Sequence, residues 1–162
     1  HRTLSMIQRY CDGVIPKAAA VGCAVEDEPL RAGAARLPDV VEGAMARVDF
    51  SSALAAILRV VTQANRYIET QAPWQLAKDG SRERLSTVLS VLAEVIRIVA
   101  IMLEPFMPSV AEAMWRQLGL AAAPRHLENA RRWPGLIAGR SVGTPQVLFP
   151  RKVLSECTDS AD

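Results

Sequence analysis

Aromatic side chains are scarce in this chain: three Phe, three Trp and two Tyr among 162 residues. Groups that perform chemistry are scarcer still. The two histidines, His1 and His126, have no neighbouring carboxylate or nucleophile that would make them general acids or bases. Cys11, Cys23 and Cys157 form no CxxC pair and have no histidine at ligand spacing, so no metal site is expected. An odd cysteine count without a secretory leader points to a reducing compartment and a cytoplasmic protein. There is no glycine-rich phosphate loop, no GxSxG elbow and no HExxH. Asp12 and Glu69 read as solvated acids, one in a turn and one on a helix face. This chain alone is expected to catalyse nothing and to carry no cofactor.

Neither sign of charge dominates. Nineteen Lys+Arg oppose 17 Asp+Glu, a net charge of +2 that excludes nucleic-acid binding by a blanket of charge. The basic residues are mostly arginine, whose planar fork suits local, specific contacts. The longest apolar run, 88–103, is broken by Glu94 and Arg97. Three apart, these belong on one wet or paired face of a helix, and a membrane span would carry them at high cost. The length fits one domain with a real core, and half the residues are hydrophobic, with Ala, Leu and Val prominent. That is the profile of a helical bundle.

Residues 1–11 read as the end of a helix closed by Asp12-Gly13, with its start expected upstream of His1. Residues 14 to about 36 read as mostly loop with room for a short helix. A second helix is predicted from Pro38 or Asp39 to Val48. Asp49, Ser51 or Ser52 caps a third, with Phe50, Ala53, Leu54, Ile57, Leu58, Val61, Ala64 and Ile68 inward. Residues 78–81 form a turn. A fourth helix spans about 82–103, with Leu85, Val88, Leu89, Leu92, Val95, Ile96, Val99 and Leu103 inward. Pro105 ends it, and Pro108-Ser109 opens a fifth that closes at Gly119. From 121 on, Pro124, Pro134, Pro145 and Pro150 with three glycines exclude a long regular element. The expected organisation is therefore all-α: a bundle of about five helices over 1–120, an extended strap over 121–152 and a linker-like tail over 153–162. Leu127, Trp133, Leu136, Leu148 and Phe149 should anchor the strap, and Trp115 and Trp133 should be packing residues.

One stretch stands apart. Ala64-Asn65-Arg66-Tyr67-Ile68 runs to Ala72-Pro73-Trp74. Pro73 lacks an amide donor and disfavours helical geometry in Ala72, so the helix should stop there. Trp74 then sits at a corner, as a packing plug or as a stacking platform. Asn65 is expected to brace that corner as a buried polar group. Arg66, Lys78 and Arg82 are candidate phosphate contacts.

With Arg2-Thr3-Leu4-Ser5-Met6-Ile7, Phe50-x-x-Ala53-Leu54, Glu104-Pro105-Phe106-Met107-Pro108, Trp133 and Leu148-Phe149-Pro150-Arg151, these motifs occur in a fixed order. Together they resemble the anticodon-binding domain of bacterial-type methionyl-tRNA synthetases, class I enzymes, over nearly the whole chain. The resemblance implies an α-helical bundle that reads the CAU anticodon of methionine tRNA. It assigns that reading to Arg2 and to the pair Pro73 and Trp74. An asparagine partner would lie two residues before His1. It places ATP, Mg and any knuckle zinc in a catalytic domain of the same polypeptide, and it implies neither membrane nor DNA as partner. Two alternatives differ in kind: a helical protein-interaction module, or the corresponding domain of another class I synthetase.

Overall fold

A computed structural model describes residues 1–18, 24–121, 125–135 and 138–149. Cys23, Cys157, Pro124, Leu136, Pro150, Arg151 and the tail at 153–162 lie outside the described residues. Among the described residues there are seven α-helices and no strand: α1 Arg2–Tyr10, α2 Glu28–Ala46, α3 Phe50–Gln71, α4 Pro73–Lys78, α5 Arg82–Leu103, α6 Pro108–Gln117 and α7 Leu127–Arg131. A single 3₁₀ turn, Val25–Asp27, leads into α2. The two helices beyond the expected five are the short α4 and α7.

Helix α5 is the axis of the bundle. It packs against α1, α2, α3, α4, α6 and α7. Sixteen of its 22 residues are buried, which explains an apolarity sufficient in itself for a membrane span. Glu94 and Arg97 are buried with it and are paired rather than wet. Arg97 Nε donates to Glu94 Oε2 at 2.8 Å, and its two terminal nitrogens donate to the carbonyls of Asn129 (2.6 Å) and Arg132 (2.7 Å). Gly135 N donates to Glu94 Oε1 at 2.9 Å. A buried charge is tolerable only when its hydrogen-bonding capacity is filled, and here the backbone of 129–135 fills it. A Cβ on Gly135 would lie 2.4 Å from Arg97 Cζ, so this close approach requires glycine.

Helix α2 corrects the reading of 14–36 as mostly loop. It begins ten residues before the predicted start and runs through Pro38. Proline there removes one ladder hydrogen bond. Leu30, Ala34, Leu37, Val41 and Ala44 nevertheless form one buried stripe on both sides of it, packed chiefly on α3. Burial along the stripe outweighs the lost bond, and Pro29 in the first turn helps to start the helix. In α3 the buried set is Ala53, Ala56, Ile57, Val60, Tyr67 and Ile68, whereas Phe50 and Leu58, expected inward, are exposed. Ala53 and Ala56 are buried with Ile57 and Val60, so the buried stripe of α3 runs beside Phe50 and Leu58 rather than through them.

The segment after α1 meets a segment well past α7. Val14 and Ser141 form an isolated antiparallel bridge, flanked by Ile15 N to Arg140 O and Val142 N to Gly13 O, both 2.8 Å. Gly119 (φ +71°) lets this segment past, since a Cβ there would meet Ser141 O. Leu127 and Trp133 pack on the core, with the Arg31 guanidinium 5.4 Å above the Trp133 ring, and Trp115 is buried. Phe149 is 65% exposed among the described residues, where burial on the bundle was expected.

Asp49 caps α3 by accepting a hydrogen bond from Ser52 N at 3.0 Å, which holds its carboxyl below its usual range. The folded value is the lower one, so the stabilisation is complete above the unfolded value near pH 4 and is lost on further acidification. Asp49→Asn, which keeps the acceptor, should flatten this part of the acid limb in urea titrations run from pH 5 to pH 2.5. Arg97→Met strands a buried carboxylate and two carbonyls and should lower unfolding free energy by about 3–5 kcal/mol in the same assay. The double change Glu94→Leu/Arg97→Met removes the stranded carboxylate and should recover only part of that loss, because the Asn129 and Arg132 carbonyls and the Gly135 amide stay without their partners.

Candidate nucleic-acid interface

The corner between α3 and α4 is made by two residues. Ala72 closes α3, donating to Ile68 O at 3.0 Å, and at the same time caps α4, its carbonyl accepting from Gln75 N at 2.7 Å. It does so in the left-handed region (φ 41°, ψ 63°), which costs an alanine about 1–2 kcal/mol. Pro73 forces the choice by disfavouring right-handed helix in the residue before it, and then serves as the first residue of α4. The Pro73 side chain is fully buried. With that anchor fixed, Trp74 emerges at the surface, 41% exposed.

Arg2 reaches the same end of the bundle. Its guanidinium pairs with Glu69 at 2.8 Å, five residues before Trp74, and α1 packs against α4. Both partners are more than half exposed, so the pair contributes at most about 1 kcal/mol and yields readily to a competing ligand. Lys78 and Arg82, both exposed, flank the turn at Asp79-Gly80 that joins α4 to α5. Arg66 is exposed one turn before Glu69, lining a shallow groove of about 420 Å³ with Gln63, Thr70 and Gln71. Asn65 is exposed too. It is no buried brace, because the Ala72 carbonyl and amide are satisfied by backbone groups.

The brace is elsewhere, in residues that sequence reading did not single out. Asp27, with no exposed surface, receives Arg84 in a two-pronged pair (2.8 and 2.6 Å) and the Tyr67 hydroxyl at 2.6 Å. Arg84 also donates to Gln71 Oε1 at 2.6 Å, and Ala24 N donates to Asp27 Oδ2 at 3.1 Å. Charge-assisted bidentate bonds are among the strongest a protein makes. The hydrogen bond to Asp27 raises the Arg84 guanidinium above its ordinary value, so it stays charged. One cluster thus ties the turn before α2, the last turns of α3 and the first turn of α5 directly behind the Pro-Trp corner. The partners lie 40 and 57 residues apart. Only the placement of Tyr67 within the Asn65-to-Trp74 motif hinted at them.

The all-α bundle thus displays one exposed tryptophan and three exposed arginines, Arg2, Arg66 and Arg82, around the α3–α4 corner. Residues 15–160 match the family described as the anticodon binding domain of methionyl tRNA ligase. The chain is 42% identical over 156 residues to the methionine–tRNA ligase of Caldanaerobacter subterraneus subsp. tengcongensis, covering 93% of this chain and 23% of that protein. It is 39% identical over 161 residues to that of Rhizobium meliloti, covering 96% and 30%. The apo Mycobacterium tuberculosis methionyl-tRNA synthetase superposes with a TM-score of 0.84 at 33% identity, over 94% of this chain and 30% of that one. The chain belongs to the family of methionyl-tRNA ligase anticodon-binding domains, and it spans between a quarter and a third of the length of such relatives, or slightly less.

Tyr67→Phe removes one donor from the buried Asp27 carboxylate. It should cost about 1.5–3 kcal/mol of stability by urea denaturation, with the helical circular dichroism signal unchanged at zero denaturant.

Proposed function

We propose that this domain reads the CAU anticodon of methionine tRNA for a cytoplasmic methionine–tRNA ligase. Trp74 carries the reading: a large aromatic face left exposed at a corner that Pro73 and the Asp27 cluster hold rigid. Unstacked loop bases are recognised by stacking on such faces and by hydrogen bonds to their Watson–Crick edges. Arg2 supplies the edge contacts, exchanging its weak surface pairing with Glu69 for base oxygens and ring nitrogens. Pro73 sets the height of the indole and meets the base by van der Waals contact. Arg66, Lys78 and Arg82 hold the phosphates of the loop, and Asn65, exposed one residue before Arg66, supports them. This division of labour fits a net charge of only +2, because selection comes from a few shaped contacts rather than from bulk attraction.

The chemistry of the intact enzyme, ATP-dependent activation of methionine and transfer to the tRNA, belongs to the catalytic domain of the same polypeptide. ATP and Mg are used there, as is any zinc. The domain itself takes no cofactor and is inactive alone.

Trp74→Ala in the full-length ligase tests this. A stack of about 1–3 kcal/mol corresponds to a loss of roughly 5–150-fold in affinity for a methionine-tRNA anticodon stem-loop at fixed low salt. A loop with one changed anticodon base should bind wild type weakly and be little affected by the substitution. Equal binding of both loops to both proteins would sink the assignment.

A further inference from the structure

The groove of about 420 Å³ that Arg66 lines runs between the start of α2 and the last turns of α3. Pro29, Leu30 and Tyr67 give it apolar walls, while Gln63, Thr70 and Gln71 give it neutral polar groups. Its charged groups are Arg66 on the α3 wall and Glu26 on the opposite one, both exposed. Small-molecule and base sites have this make-up, a mostly apolar lining with a few placed polar groups. Tyr67 and Gln71 belong also to the Asp27 cluster, so this wall is held as firmly as the corner. Glu69 pairs with Arg2 of α1, whereas the next residue, Thr70, lines the groove, so the end of α3 separates the two.

The polar groups of the groove have unspent hydrogen-bonding capacity. Neither Gln63 nor Arg66 has a side-chain partner among the described residues, so Gln63 offers both its amide oxygen and its amino group. Gln71 gives its oxygen to Arg84 and keeps its amino group. Thr70 donates to the Arg66 carbonyl at 3.0 Å and keeps its lone pairs. An independent sign comes from α2. Gly33, one turn beyond Pro29 and Leu30, makes room for the Gln63 amide, because a Cβ there would lie 2.6 Å from Gln63 Oε1. Glycine inside a helix is less stable than alanine. The helix thus carries its weaker residue at the position where alanine would push this amide aside.

We propose that this groove seats an unstacked adenine of the same RNA loop, from outside the three anticodon letters. Unpaired loop bases splay out and are read on their edges. A glutamine amide pairs with adenine through two bonds, accepting from the 6-amino group and donating to a ring nitrogen. Glu26 accepts hydrogen bonds only, which suits the same amino group and rejects a phosphate. Arg66 holds the phosphate of that nucleotide, and Pro29 and Leu30 cover the base. The anticodon letters are taken by Trp74 and Arg2, so a base reaching past the end of α3 is one of their neighbours in the loop. The inference rests on the anticodon reading and adds a contact to a base that this reading leaves unassigned.

The test uses full-length ligase, as wild type, Gln63→Leu and Gly33→Ala, with methionine-tRNA anticodon stem-loops at fixed low salt. Loop nucleotides outside the anticodon are replaced singly by abasic residues, and loop adenines by purine riboside, which lacks only the 6-amino group. One adenine should emerge whose removal weakens binding to wild type roughly tenfold, with purine riboside giving most of that loss. Gln63→Leu should bind the intact loop about tenfold more weakly and respond less than twofold to removal of the same base. Gly33→Ala should lose affinity in the same direction with a Tm no lower than wild type, which excludes unfolding as the cause. A flat abasic scan outside the anticodon, or an equal penalty in wild type and Gln63→Leu, would overturn the proposal. So would a Gln63→Leu effect confined to the anticodon's own adenine. Discrimination against a changed anticodon base should be the same in Gln63→Leu as in wild type; its absence from wild type is instead the failure of the anticodon reading.

Discussion

Helix α5 has almost no face left for water, and the architecture follows from that. A helix surrounded by six others must fill its surface with aliphatic side chains and satisfy every polar group internally. Glu94 and Arg97 obey the rule by recruiting the backbone of α7 and of the segment that follows it. The pair thereby becomes the attachment point of a segment that has little regular structure of its own. At the other end of α5, Arg84 extends from the first turn to Asp27 and fixes the approach of α2 and α3. The axis helix therefore carries one structural charge in its first turn, behind the α3–α4 corner, and a charged pair past its middle that holds the C-terminal segment.

Much of this was legible in the chain. The bounds of α3, α5 and α6, the Asp49 cap and the break at Ala72 follow from local rules: apolar period, capping residue, proline geometry. What stayed hidden was set by tertiary contact. Pro38 argued for a helix start because local chemistry penalises proline inside a helix, and only the Leu30-to-Ala44 stripe packed on α3 shows why the penalty is accepted. Phe50 and Leu58 fit the helical period but face outward, since the period alone does not choose which neighbour fills the space. Asp27 and Arg84 looked like ordinary charged residues in charged surroundings. Nothing local distinguishes a carboxylate that will meet an arginine 57 residues away.

The candidate site shows the same division. Pro73 and Trp74 announce themselves because a proline and a large aromatic at a helix end have few uses. Arg2 does not, and it gained meaning only through resemblance to known synthetases. In the fold it stands beside Glu69, at the end where Trp74 is exposed. Rigidity comes from behind that end, not from the exposed residues, so the groups facing solvent are free to exchange partners while their backbone stays fixed.

The bridge between Val14 and Ser141 has a consequence in time. A chain emerges from the ribosome N-terminus first, and contacts between residues 127 apart must wait for nearly the whole domain. Helix α1 leads directly into one side of that bridge, and Gln8 on it donates to the Gly143 carbonyl across the gap. Within this domain, the segment bearing Arg2 precedes by more than a hundred residues the segment that closes the far side of the bridge. A nascent domain can form α3, the corner and α5 early and seat α1 on α5, but the C-terminal end of α1 gains its bridge only once residues beyond 140 have arrived. The helix that comes first in the domain is thus made before α5 and locked at its C-terminal end after it.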